Sequence, residues 1–192
     1  MSAGTRDAIM DAAERLLRSR GYAAFSYADL AEVVGIRKAS IHHHFPTKED
    51  LGTAIVKDYI HKVTENFAQT EASSPRLDDR LEGFRQGFRV GADLGMLPLC
   101  GALAAEKDAL PQGLQQLTSE FFDMQLRWLA KILDEAMAVG EIPAGVDTSQ
   151  RAYQLLSVME GSSFIDWAMQ DGRRMELGTL SQLARMPSPK PS

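Results

Sequence analysis

SYADLAEVVGIRKASIHHHFPTK, residues 26–48, reads as two short helices joined by a tight turn. Ser26 caps the first, with Asp29 three residues on in a capping-box arrangement. Leu30, Val33 and Val34 then fall at i, i+3 and i+4, one apolar stripe. Gly35 stands where the backbone needs a positive φ to leave one helix for another, and Ile36 plugs the turn. The second helix, about Arg37 to Phe45, buries Ile41 and Phe45. Its other face carries Arg37, Lys38, Ser40, His42, His43 and His44. An apolar helix, a glycine turn and a short cationic helix together read as helix-turn-helix.

The order of residues from Gly35 through Ile36-Arg37-Lys38-Ala39-Ser40-Ile41-His42-His43-His44-Phe45-Pro46-Thr47-Lys48-Glu49-Asp50 to Leu51 resembles the signature of the TetR-type bacterial repressors. The preceding helix and the Arg20-Gly21-Tyr22 turn share the likeness, which covers roughly Ile9 to Ile55. Arg37 stands where that family usually has a capping Ser or Thr, and His42 where it usually has Tyr; both can still donate to phosphate. The resemblance implies a two-domain, all-α regulator: a three-helix helix-turn-helix domain (1–47) and a helical bundle for effector binding and dimerisation (48–186). A bridging helix (48–69) would join them, and residues 187–192 would be a disordered tail.

The residues expected to face DNA are Ser26, Tyr27, Arg37, Lys38, Ala39, Ser40, His42, His43, His44 and Lys48. Arg37 and Lys38 open the second helix and can fork onto guanine or bind phosphate. Ala39 permits close approach and a methyl contact with thymine. Ser40 and Lys48 read as phosphate anchors, and the Tyr27 hydroxyl as a third anchor or a core group. Three histidines in succession point about 100° apart, so they do not converge on a metal ion. No metal and no cofactor is expected.

The chain has 192 residues and a net charge of −5, which is unusual for a DNA binder. Residues 1–62 hold nine Lys/Arg against eight Asp/Glu and all four histidines; residues 63–192 hold twelve against eighteen. Between Ile36 and Lys48 there is no acidic residue. Recognition therefore rests on a small, well-placed cationic surface. One cysteine, Cys100, excludes an intrachain disulfide and fits a reducing cytoplasm. No run of eighteen uncharged apolar residues and no signal-peptide core is present, so no membrane partner is expected.

Helical periodicity continues to the end. Thr5–Arg20 buries Ile9, Ala12, Ala13, Leu16 and Leu17. Further helices are expected at 48–69, from Leu77 to a break at 91–95, at 97–110, 112–139, 149–170 and 175–186. No nucleophile elbow, HExxH, P-loop or Gly-rich dinucleotide turn points to an enzyme.

In the second half, Phe84, Phe88, Met96, Cys100, Phe121, Met124, Trp128 and Met159 are the expected lining of an effector pocket, since Met and aromatic side chains suit a small-molecule cavity. Ala152, Leu155, Leu156, Met159, Trp167, Leu177, Leu180 and Leu183 are the expected dimer interface. In the resembling family the last two long helices pair with their symmetry mates. The family mechanism implies a homodimer on a palindromic operator, released when a small molecule binds. The segment around Cys100 also resembles one in electrophile-responsive members, which makes electrophile or redox sensing by that thiol one alternative; a helical interaction protein that uses the helix-turn-helix as scaffold, without binding DNA, is the other.

Overall fold

The computed structural model describes residues 2–172, 174–176 and 178–187. Those residues form nine α-helices and no strand: α1 (Ser2–Arg20), α2 (Tyr27–Val34), α3 (Lys38–His44), α4 (Lys48–Ser73), α5 (Leu77–Asp93), α6 (Leu99–Ala105), α7 (Gln112–Ala138), α8 (Thr148–Met169) and α9 (Thr179–Arg185). A single 3₁₀ turn, Lys107–Ala109, follows α6.

The fold class agrees with the sequence reading, but the division of the chain differs. One unit comprises Met1–Lys62 with Gly95–Phe121, the other Val63–Leu94 with Phe122–Ser192. The boundary expected at 47/48 therefore falls inside the first unit. Leu51, Ile55 and Val56 of α4 are buried there together with Leu99, Leu103 and Leu114. Close approach is built in at Gly52, where a Cβ would lie 2.9 Å from Leu114 Cδ1 and 3.3 Å from Tyr22 Cε2.

In the second unit, Phe67 of α4, Leu81 and Phe84 of α5, Trp128 to Leu133 of α7 and Leu155 to Met159 of α8 share one core. Phe67 stacks on Trp128 at 4.1 Å and 10°, and Phe84 meets Phe88 edge to face at 5.3 Å. Ion pairs tie the helices: Arg80 to Glu135, Lys131 to Glu71 and Arg185 to Asp78. Among the described residues, no helix is long and apolar enough to cross a membrane.

One further expectation changes. The last helix starts at Thr179, not 175, because Gly178 takes φ +86° at its N-cap and interrupts the helical path. Leu177 and residues 188–192 of the expected tail lie outside the described residues.

The expected dimer stripe is corrected as well. Ala152, Leu155, Leu156, Met159 and Leu180 are buried in the chain's own core, and Leu183 packs against it. Among the described residues of that set, only Trp167 is well exposed. Elsewhere on α8, Tyr153 and Ile165 are 60% and 64% exposed.

Candidate nucleic-acid interface

The first unit assembles the helix-turn-helix through caps at every junction. Ser26 N donates to Asp29 Oδ2 at 2.7 Å, and Ser26 Oγ accepts from the Asp29 amide at 3.4 Å, a closed capping box. That pairing with Ser26 holds the Asp29 carboxyl below its usual range. Gly35 ends α2 at φ +75°, and both its N–H and that of Ile36 donate to Ala31 O at 2.9 and 3.0 Å. Arg37 is the N-cap of α3 without a side-chain cap, the consequence of its standing where a hydroxyl residue would cap. A second capping box opens α4: Thr47 N donates to Asp50 Oδ2 at 3.0 Å and Asp50 N donates to Thr47 Oγ1 at 3.1 Å.

These junctions hold α3 with Ile41 fully buried and Arg37, Lys38, Ala39, His42 and His43 exposed on one cationic face. Ser40 and His44 are half-buried at its edges. His42 Nδ1 lies 3.2 Å from Pro46 O, close enough to donate to that carbonyl in the tautomer that carries a proton there. The His43 and His44 rings meet edge to face at 5.4 Å. Among the described residues, no group of three metal-ligating side chains converges.

Three of the expected DNA contacts are placed differently. Tyr27 is buried, its hydroxyl 3.0 Å from Phe45 O and 2.6 Å from Thr47 O. It joins the end of α3 to the start of α4 and has no exposed donor for phosphate. Lys48 is turned inward: Nζ donates to Phe25 O and sits 4.3 Å over the Phe25 ring and 4.7 Å over the Tyr22 ring. Burial lowers its pKa, with Glu106 and Asp29 opposing. Ser26 is exposed, but its hydroxyl already serves as the cap. Val33, expected in the apolar stripe of α2, is 58% exposed.

The structure adds residues that the sequence did not single out. Arg6, exposed on α1, lies over the Phe45 ring at 5.1 Å beside the end of α3. Glu106, after α6, accepts the N–H groups of Tyr22 and Ala23 at 2.9 and 3.0 Å. No local pattern marks either residue; both matter through partners distant in the chain.

The eight expected pocket residues are divided between the two units. Met96, Cys100 and Phe121 belong to the first unit, where Cys100 is 0% exposed and Phe121 packs on Tyr59 at 5.3 Å. In the second unit Phe84 and Trp128 fill the aromatic stack, and Met124 Sδ accepts from the Thr64 hydroxyl at 3.2 Å. Phe88 and Met159 meet at a cleft, of about 50 Å³, that Ser162 and Ser163 also line. Two larger grooves, about 390 and 350 Å³, contain none of the eight.

A capped helix-turn-helix presenting a cationic second helix, followed by an all-helical second unit, defines a bacterial-type helix-turn-helix transcriptional regulator. The family model for bacterial regulatory proteins of the tetR family matches residues 9–55, and that for the tetracyclin repressor-like C-terminal domain matches 99–179. The chain is 36% identical over 164 residues to the probable HTH-type transcriptional regulator ArpR of Pseudomonas putida, covering 82% of this chain and 77% of that protein. It is 35% identical, at the same coverage, to the HTH-type transcriptional regulator TtgR, also of Pseudomonas putida. A TetR-family transcriptional regulator from Agrobacterium tumefaciens superposes with a TM-score of 0.77 at 27% identity, covering 96% of each chain. The protein belongs to the TetR family of DNA-binding transcriptional regulators.

Proposed function

We propose that the protein is a cytoplasmic repressor that binds a palindromic operator as a homodimer and is released by a small-molecule effector held in the second unit. The observation that carries this reading is the exposed face of α3, where Arg37, Lys38, His42 and His43 stand free of acidic neighbours in sequence. Lys38 and Arg37 read or anchor the major groove, and Arg6 flanks them on phosphate. One seven-residue helix makes too few base contacts for operator affinity, so two copies are needed, their recognition helices about 34–36 Å apart. The exposed Tyr153, Ile165, Trp167 and Met169 of α8 offer the apolar surface for that pairing. Release requires an effector that favours the non-binding conformer by a few kcal/mol.

Thiol sensing is not favoured. Cys100 is fully buried, which denies access to an electrophile.

The test is selection from a random double-stranded DNA pool with the full chain. A two-fold symmetric consensus with half-sites about one helical turn apart supports the reading. Recovery of no consensus sequence at all, or of one unpaired half-site bound by monomer, sinks it.

A further inference from the structure

Three of the seven residues of α3 are histidines, His42, His43 and His44, and they follow Lys38 along its exposed cationic side. Lysine and arginine side chains are cationic throughout the range of about pH 5 to 8, in which an imidazole changes charge. From Ile36 to Lys48 the sequence has no acidic residue to pair with these rings. The charge that α3 presents is therefore set in part by pH.

The ring geometry makes that charge matter for phosphate. His42 packs edge to face on Tyr27 at 4.8 Å, with Nδ1 3.2 Å from Pro46 O. A neutral imidazole has a single N–H. If it serves Pro46 O, the other nitrogen is a bare acceptor, which a phosphate oxygen repels. If it turns to phosphate, the carbonyl loses its donor. The imidazolium has two N–H groups and satisfies both. His43 and His44 meet edge to face at 5.4 Å, so two charges there repel unless an anion lies beside them.

The charged groups on neighbouring elements have partners or directions of their own. On α2, Asp29 is held by Ser26, Glu32 is exposed, and the buried Tyr27 phenol is pushed up to about 12 and stays neutral. On α4, Asp50 is held by Thr47, and Lys48 turns to Phe25. Glu49 reaches the start of α7, where a Cβ on Gly113 would lie 3.2 Å from its Oε1. On α1, Arg6 lies over Phe45 and Asp7 is exposed, while Asp11 and Glu14 act on Lys62. The anion that meets the three rings is then the DNA backbone itself.

We propose that α3 is a proton-linked DNA reader: docking on duplex DNA takes up protons on His42, His43 and His44, so that affinity rises as pH falls from 8 to 6. This rests on α3 being the helix that docks on DNA. The sign follows from linkage. Phosphate favours the imidazolium, so the bound protein holds more protons than the free one, and lower pH drives binding. Acidification of the cytoplasm thus tightens repression and opposes release by the effector.

The experiment is fluorescence anisotropy of the full-length protein at pH 8, 7 and 6, each over a range of salt concentrations. Two labelled duplexes serve as probes, the selected operator and a mixed-sequence duplex of the same length. Affinity for each is expected to be about tenfold higher at pH 6 than at pH 8, the effect of an opposite charge beside two or three imidazoles. The salt slope should be steeper at pH 6 by about one to two, since each imidazolium on a phosphate releases about 0.9 counterion. His42→Gln/His43→Gln, at two exposed positions, should cut the pH ratio to about threefold or less and flatten the change in slope. His43→Arg, which fixes one charge, should tighten binding at pH 8 and lower the pH ratio. Two other groups that titrate in this range serve as controls: the buried Glu160 carboxyl of α8, pushed up to about 7, and His61 of α4. Glu160→Gln and His61→Gln should keep the full response. The proposal is overturned if affinity or salt slope is the same at pH 6 and pH 8. It also fails if the response survives His42→Gln/His43→Gln undiminished or disappears in Glu160→Gln. Failure to bind either duplex at any pH sinks the regulator reading along with it. Equal binding of both duplexes with the pH response intact counts against the operator alone and leaves the histidines standing.

Discussion

Glu106 reaches the loop after α1 and takes the Tyr22 amide on Oε1 at 2.9 Å, while its other oxygen takes Ala23 at 3.0 Å. A residue 84 positions away thus closes the entry to the helix-turn-helix. Gly21 permits this: it has φ +95°, and a Cβ there would lie 1.9 Å from Glu106 Oε1. Glu106→Ala leaves two amides without their acceptor and should cost about 1–3 kcal/mol in urea unfolding. Gly21→Ala should cost more, through both the clash and the backbone strain. An unchanged denaturation midpoint in Glu106→Ala would show that the loop holds itself.

Lys38 and Lys48 should separate cleanly. Lys38 is exposed, so Lys38→Ala should leave stability within about 0.5 kcal/mol and reduce the salt slope of operator binding by about one. Lys48 is held by Phe25 O and two rings, so Lys48→Ala should lose about 1–2 kcal/mol of stability and leave the salt slope alone. Anisotropy titrations over a range of salt concentrations, alongside thermal melts, would reveal the opposite pattern if Lys48 turns to phosphate.

Tyr27→Phe removes one hydroxyl that bridges Phe45 O and Thr47 O. The expected loss is about 1–2 kcal/mol, with base preference in the selected operator unaltered. A changed consensus sequence would instead make Tyr27 a reader of DNA.

Glu160 adds a pH dependence opposite in sign to that of the lowered carboxylates Glu71, Asp78 and Glu82. Burial raises its pKa from the ordinary 4.5 to about 7. Between those values the folded protein keeps a proton that the unfolded chain has released, so this group makes stability fall as pH rises and costs its full amount above about 7. Glu160→Gln should match the parent near pH 4 and exceed it by up to about 3 kcal/mol at pH 8. Equal melting curves at pH 8 would mean that the carboxyl is paired in solution.

Cys100 should behave as a sealed thiol. Labelling by a maleimide should proceed only at the rate of structural opening, and Cys100→Ser should respond to effector as the parent does. Fast stoichiometric labelling of the folded protein would revive electrophile sensing.

Much of the fold could be read from local pattern. The Ser26–Asp29 box, the Gly35 turn and the Ile41–Phe45 pair are written within a few residues of one another, and the structure forms each one. Long amphipathic helices announced themselves by their period, but their partners did not. The stripe Ala152–Leu155–Met159 has the same spacing whether it meets its own core or a second copy, and here it meets its own core. Lys48 illustrates the same limit, because an exposed lysine and one folded over two rings are spelled alike. Gln125 and Glu160 look like surface residues in sequence and become notable only through burial.

The first unit is assembled from two stretches, Met1–Lys62 and Gly95–Phe121, with the whole of α5 made between them. A ribosome finishing Lys62 must add about sixty more residues before Phe121, roughly 3–12 s at ordinary elongation rates. During that interval α1 to α3 exist without Leu99, Leu103 and Leu114, and the notch at Gly52 stands open beside Tyr22. The DNA-reading portion is thus the first segment synthesised but waits for a later one to cover it. Its cover is therefore completed only when residues 95–121 have been made.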